Sequence, residues 1–202
     1  MSGAADRFLD AAGRLGFTPE VLRFPEGTRT AEDAARAIGC DVAQIVKSLV
    51  FVADGEPVLA LTSGANRVDP VKIAALCGTS AARKATAEEV RSSTGYAIGG
   101  TPPFGHDRPL RCFVDHDLMP FDRVWAAAGT PEGVFPLTPQ DLVRASGGTV
   151  ATCAETPSSG SGSRRSTGTI LGKTDGSWRT DAYADPGRGR QGEGAARRRG
   201  PR

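Results

Sequence analysis

The chain of 202 residues carries 25 Lys and Arg against 23 Asp and Glu, a net charge of +2, and is long enough for one domain with an appendage. That balance is uneven: residues 1–150 hold 15 basic against 18 acidic side chains, a net of −3, whereas residues 151–202 hold 10 against 5, a net of +5. No apolar window reaches 18 residues and no basic segment leads into an apolar run, so neither a membrane span nor a signal peptide is expected, and a cytoplasmic protein is.

Taken in order, Ala4 to Leu15 sets Phe8, Ala12 and Leu15 on one helical stripe that stops at Gly16. Val21 to Phe24 reads as a short strand and Pro25 to Arg29 as a turn. Thr30, with Asp33 three residues on, is the expected N-cap of a helix ending near Gly39. Ile45 to Ala53 is the strongest strand, an apolar run broken by Lys47 and Ser48. Asp54-Gly55 turns it into a second strand, Pro57 to Thr62. Asp69 and Pro70 open a helix that runs to Cys77 and stops at Gly78. Thr86 and Glu89 form a capping box for a helix ending at Gly95. Arg111 to Val114 and Val124 to Ala127 read as strands, and Phe135 to Leu137 as a short extended piece. Thr138-Pro139 begins a last helix, ended by Gly147-Gly148, and Thr149 to Ala151 closes the sheet. This order predicts an α/β fold of the α+β kind, with a mixed, largely antiparallel sheet surrounded by helices.

The last 52 residues contain 10 glycines and, as large apolar residues, Ile170, Leu171, Trp178 and Tyr183. Such a segment buries too little surface to offset its ordering entropy, so 1–151 is expected as the domain and 152–202 as a disordered, low-complexity tail. Its Arg-rich runs suit weak, charge-based contact with RNA, or only solvation. The cysteines, at 40, 77, 112 and 153, form no Cys-x-x-Cys pair, which speaks against a zinc ribbon or a dithiol redox motif. Cys40 and Cys112 read as small core residues. Neither a metal nor a cofactor is expected.

Between the fourth helix and the next strand lies Tyr96 to Asp107, where three glycines and two adjacent prolines force an irregular loop anchored by Phe104. Gly99-Gly100 lets backbone amides approach a ligand, and Pro102-Pro103 stiffens the loop; the same composition also suits an ordinary connection. Lys47 interrupts an apolar strand on the face of Ile45, Leu49 and Phe51. A lysine so placed lines a cleft, or snorkels from an edge strand to water. Ser63 to Arg67 and Gly129-Thr130 are polar loops open to either reading. Asp115-His116-Asp117 reads as a metal-binding triplet or, more simply, as a solvated turn. No serine or cysteine nucleophile motif is present.

Two motifs in register carry a family resemblance. Asp41-Val-Ala-Gln-Ile-Val-Lys47-Ser-Leu-Val-Phe, followed by Ser93-Thr-Gly-Tyr-Ala-Ile-Gly-Gly-Thr-Pro-Pro-Phe-Gly105, resembles the YbaK/EbsC family, related to the editing (insertion) domain of bacterial prolyl-tRNA synthetases. Thr30-Ala-Glu-Asp-Ala-Ala, Asn66-Arg-Val-Asp69 and Val124-Trp-Ala-Ala-Ala-Gly129-Thr-Pro support it, over about residues 4 to 151. The resemblance implies the fold of that family and hydrolysis of a mischarged aminoacyl-tRNA, carrying a small amino acid such as Cys or Ala on tRNA(Pro), with an aminoacyl-tRNA synthetase as a further partner. It implies roles for Lys47, Gly99 and Gly100 in catalysis. It implies substrate contacts from Thr30, Ser48, Ser63, Asn66, Thr101, Pro103, Phe104, Gly105, His106, Gly129 and Thr130. Thr101 stands where an apolar residue is frequent, and Ser48 where some members have Asn or Thr, which bears on substrate choice. The competing reading is a non-catalytic aminoacyl- or nucleotide-binding module using the same cleft.

Overall fold

Local capping chemistry fixes where the helices begin. The computed structural model describes residues 3–24 and 30–156, all within one unit, Met1–Ser158; residues 159–202 form a second unit that lies outside the described residues, as does most of the expected tail. Helix α1 spans Ala4–Arg14, α2 Ala31–Ile38, α3 Pro70–Cys77, α4 Ala87–Thr94 and α5 Pro139–Ser146. Thr30 Oγ1 accepts from the Asp33 N–H at 3.1 Å, Asp69 Oδ1 from Val71 at 2.8 Å, and Thr138 Oγ1 from Asp141 at 3.1 Å. In α4 the box is reciprocal: Thr86 Oγ1 accepts from the Glu89 N–H, and Glu89 Oε2 accepts from the Thr86 N–H.

The strands are β1 (Leu22–Arg23), β2 (Val46–Ala53), β3 (Glu56–Ser63), β4 (Ala82–Lys84), β5 (Arg111–Asp115), β6 (Val124–Ala127), β7 (Gly133–Leu137) and β8 (Thr149–Ala151). They form two sheets rather than one. The larger has the order β4-β2-β3-β5-β8, and the smaller β1-β7-β6. Pairing is antiparallel except for β3 with β5 and β5 with β8. The turn between β2 and β3 has Asp54 and Gly55 both at positive φ, 49° and 81°, the twist that closes a tight hairpin. Strand β4 has no signal in the sequence; it is a three-residue edge strand whose Arg83 is tied to Glu89 at 2.6 Å.

Alternation along β2 divides the core. Val46 and Val50 join Leu59, Leu61, Val114, Phe8, Phe104 and Phe135 in the main cluster, between the two sheets and under α1, α4 and α5. Phe51 and Ala53 face the other way, onto Ile73 of α3. A third cluster packs Ala34 and Ala35 of α2 on Ile45, with Trp125 partly covering it. Packing continues past the expected boundary at 151: Cys153 is fully buried and its carbonyl accepts from the Asp69 N–H at 2.9 Å.

Candidate functional site

The two sheets touch at one rung, Ile45 against Trp125, and then part. Beyond that rung β2 is paired by β3 alone until β4 joins at Phe51. The gap is a cleft of about 370 Å³, walled by the first turn of α2, the start of β2, the Ile98–Thr101 loop and β6. That volume lies in the range of roughly 300–1,000 Å³ of small-molecule sites. Four alanines, at positions 31, 34, 126 and 127, stand in the wall.

Lys47 stands in this cleft, half-buried. Its Nζ donates to the carbonyl of Gly64 at 2.9 Å and to that of Asn66 at 2.5 Å. An ammonium has three protons to give, so one remains for a ligand. Burial pushes its pKa below the ordinary lysine value, Glu32 and Asp115 pull it back up, and Arg67 and Lys84 push it further down. The carbonyls that hold it belong to a bend shaped from behind. Gly64 has no room for a side chain, since a Cβ there would collide with the Val42 carbonyl. Asn66 Nδ2 donates at 2.8 Å to both Asp115 and Asp117. Asp115 is buried, and its Oδ2 also accepts from Thr62 Oγ1 at 2.7 Å and the Ser63 N–H at 3.3 Å.

Across the cleft the Gly-Gly pair divides its labour. Gly99 is exposed, has φ of 86°, and its N–H meets no acceptor among the described residues. Gly100 is buried, its N–H already donates to Ala97 at 3.1 Å, and a Cβ on it would lie 2.8 Å from Thr130 Cα. One amide of the pair is therefore free of a protein acceptor among the described residues, not two. Thr101 lines the cleft as well, its hydroxyl bonded to the Ala97 carbonyl at 3.1 Å. Ser48 lines it too, and its buried Oγ has no hydrogen-bond partner among the described residues.

The cleft thus gathers Thr30, Lys47, Ser48, Gly99 and Thr101 from the sequence-derived set. Other members stand behind it. Ser63 donates its hydroxyl to Ala43 at 2.8 Å, and Asn66 reaches the cleft through its main chain. Pro103 is buried, and Phe104 packs in the core on Phe8, Phe17 and Phe135, with ring centroids 5.4, 6.0 and 5.9 Å away. The Gly105 carbonyl accepts from Tyr96 Oη at 3.1 Å. Gly129 backs onto the first turn of α1, and Thr130 braces Gly100. His106 turns inward: Nε2 lies 2.9 Å from the Pro102 carbonyl, which can only accept, so that nitrogen carries the proton. Burial pushes its pKa below the ordinary histidine value.

Sequence reasoning missed Glu32 and Trp125 in the lining and Asp115 behind the lysine. The Asp115-His116-Asp117 triplet is not simply a solvated turn, because Asp115 is buried while His116 remains 68% exposed. Among the described residues no group of three or more His, Cys, Asp or Glu is gathered that could hold a metal, and no helix is long and apolar enough to cross a membrane.

Comparison with known proteins fits this geometry to a lineage. The family model for the aminoacyl-tRNA editing domain matches residues 25–145. The chain is similar to the uncharacterized protein YwhH of Bacillus subtilis (strain 168), at 34% identity over 124 residues, which cover 61% of this chain and 78% of that protein. It is also similar to a stretch of the proline–tRNA ligase of Nitratidesulfovibrio vulgaris (strain DP4), at 38% identity over 92 residues, 46% of this chain and 16% of the ligase. A solved structure described as a candidate trans-editing enzyme for prolyl-tRNA synthetase superposes with a TM-score of 0.73 at 46% identity, covering 77% of this chain and 99% of that one.

Proposed function

The chain belongs to the aminoacyl-tRNA editing domain family, and from that premise we propose that it is a deacylase acting in trans, which hydrolyses the ester of a mischarged tRNA. The observation that carries this reading is the Lys47 ammonium, fixed by two carbonyls with one proton to spare, across a small cleft from the free Gly99 amide.

In this reading the aminoacyl end of the tRNA enters between Lys47 and Gly99. Water adds to the ester carbonyl carbon. The resulting oxyanion is met by the spare Lys47 proton and the Gly99 N–H, donors already oriented before the reaction. The C–O bond to the ribose then breaks, and the departing oxygen takes up the proton that the water gives up. No protein side chain forms a covalent intermediate. The alanine wall favours small side chains, Cys or Ala, although a cavity separates substrates differing by one methylene by only about 1–3 kcal/mol. The partners are mischarged aminoacyl-tRNA, with tRNA(Pro) the first candidate because of the prolyl-tRNA synthetase relatives, and a synthetase.

Deacylation of Cys-, Ala- and Ser-charged tRNA by wild type and Lys47→Ala tests this directly. Turnover of one of them that disappears in the variant supports the enzyme and places its site. Binding without turnover in either protein would replace it with a non-catalytic binding module using the same cleft.

A further inference from the structure

We infer that Glu32 recognises the α-ammonium group of the aminoacyl ester, so that the cleft admits esters of free amino acids and rejects those acylated on nitrogen. This rests on the deacylase reading and deepens it.

Among the described residues lining the cleft, two carry charge, Lys47 and Glu32. Lys47 is committed to the carbonyls of Gly64 and Asn66. Glu32, in the first turn of α2, is exposed and makes no hydrogen bond or ion pair among the described residues. Its neighbour Asp33 is already taken by Arg36 at 3.2 Å. Glu32 and Lys47 form no ion pair, yet Glu32 is the charged neighbour that acts most strongly on the lysine. The cleft therefore holds two opposite charges apart within a wall of alanine, Ile45, Leu49 and Trp125.

An aminoacyl ester has a matching polarity. Its α-nitrogen is a cation, and the adjacent carbonyl oxygen becomes an anion as water adds. Seating the ammonium on Glu32 turns the carbonyl toward Lys47 and Gly99, so one carboxylate both binds the substrate and orients it. An acylated nitrogen carries no positive charge for Glu32 to meet. The same contact would spare peptidyl esters, whose cleavage would be damaging. A first-turn glutamate also favours the helix dipole, but that role moves stability and leaves substrate choice alone.

The test compares alanyl-tRNA with N-acetyl-alanyl-tRNA, using wild type, Glu32→Gln and Glu32→Asp. Wild type should favour the free amine by about tenfold or more, the scale of a charge-assisted hydrogen bond. Glu32→Gln should lose that preference, chiefly through KM for alanyl-tRNA, and Glu32→Asp should restore part of it. A Glu32→Gln variant that keeps the preference, or that slows both substrates equally in kcat as loss of a general base would, overturns the inference. Binding of the non-hydrolysable 3′-alanylamino-3′-deoxyadenosine and its N-acetyl form separates this from the deacylase reading. A preference for the free amine that depends on Glu32 sustains the inference even if no ester is cleaved. Equal binding of both forms by wild type, or binding of neither, overturns it even if deacylation is intact.

Discussion

Asp115 and Lys47 are joined through one residue: Asn66 donates its side-chain amide to the Asp115 carboxylate at 2.8 Å and lends its main-chain carbonyl to the Lys47 ammonium. The buried carboxylate also holds Thr62 and Ser63, so it fixes the end of β3 and the bend that grips the lysine. Asp115→Ala leaves these donors without an acceptor and should lower stability by about 3 kcal/mol. It should also reduce deacylation, because the lysine loses its frame. Asp115→Asn, which keeps one acceptor oxygen, should be milder in both. Urea unfolding read beside initial rates checks this; full activity in a destabilised Asp115→Ala would show that the lysine holds its place without the carboxylate.

Burial makes the neutral form of Lys47 easier to reach in the folded protein than in the unfolded chain. The folded pKa is the lower one, so between the two values the unfolded chain binds more protons. Stability from this group therefore rises with pH through a window that ends near the unfolded value of 10.5. The stability of wild type relative to Lys47→Met should increase as pH is raised through the window just below 10.5. Chemical denaturation of both proteins across that range measures it, and a flat difference would mean that the amine titrates as in water.

Ser48 buries a hydroxyl that has no partner among the described residues. An unsatisfied buried polar group costs about 1–3 kcal/mol, so Ser48→Ala should leave stability unchanged or raise it by about 1 kcal/mol. If the hydroxyl serves the bound aminoacyl group, the same change should lower kcat/KM and alter the ranking of Cys-, Ala- and Ser-charged tRNA. Thermal melting and the three deacylation rates give both answers from one preparation.

Gly100 has backbone where a side chain would go, with Thr130 Cα 2.8 Å from an added Cβ. Gly100→Ala must push the Ile98–Thr101 loop away from Thr130, and forced packing of this kind costs about 1–3 kcal/mol. Since Gly99 travels with that loop, deacylation should fall more steeply than stability. A variant that melts lower yet turns over normally would argue against the Gly99 amide as a donor.

What the sequence disclosed was local chemistry. Thr86 with Glu89, Asp69 with Pro70, and Asp54 with Gly55 each state their structure within a few residues, and each element starts or turns where those residues direct. Lys47 was conspicuous because a cation in an apolar strand needs a reason. Its partners were not legible, since the carbonyls that hold it are 17 and 19 residues away and present no side chain to read. The sequence leaves Asp115 in a triplet that suits either a metal or a solvated turn, because the donors that bury it, Thr62 and Asn66, are 53 and 49 residues distant. Both glycines of the Gly99-Gly100 pair looked alike in sequence, and only the fold shows that one amide is spent on Ala97. Likewise the parallel pairing of β3 with β5, which sets Leu61 beside Val114, is encoded by no neighbouring residues.

The alanines at 31, 34, 126 and 127 give the cleft a direction of change. Any larger residue there fills space, whereas the single step that adds space is glycine, which weakens a helix or strand by roughly 0.5–1 kcal/mol. Drift in this wall therefore acts as a ratchet. At these four positions a descendant can narrow the cleft one substitution at a time with the Lys47 frame untouched, but it cannot readily widen it there.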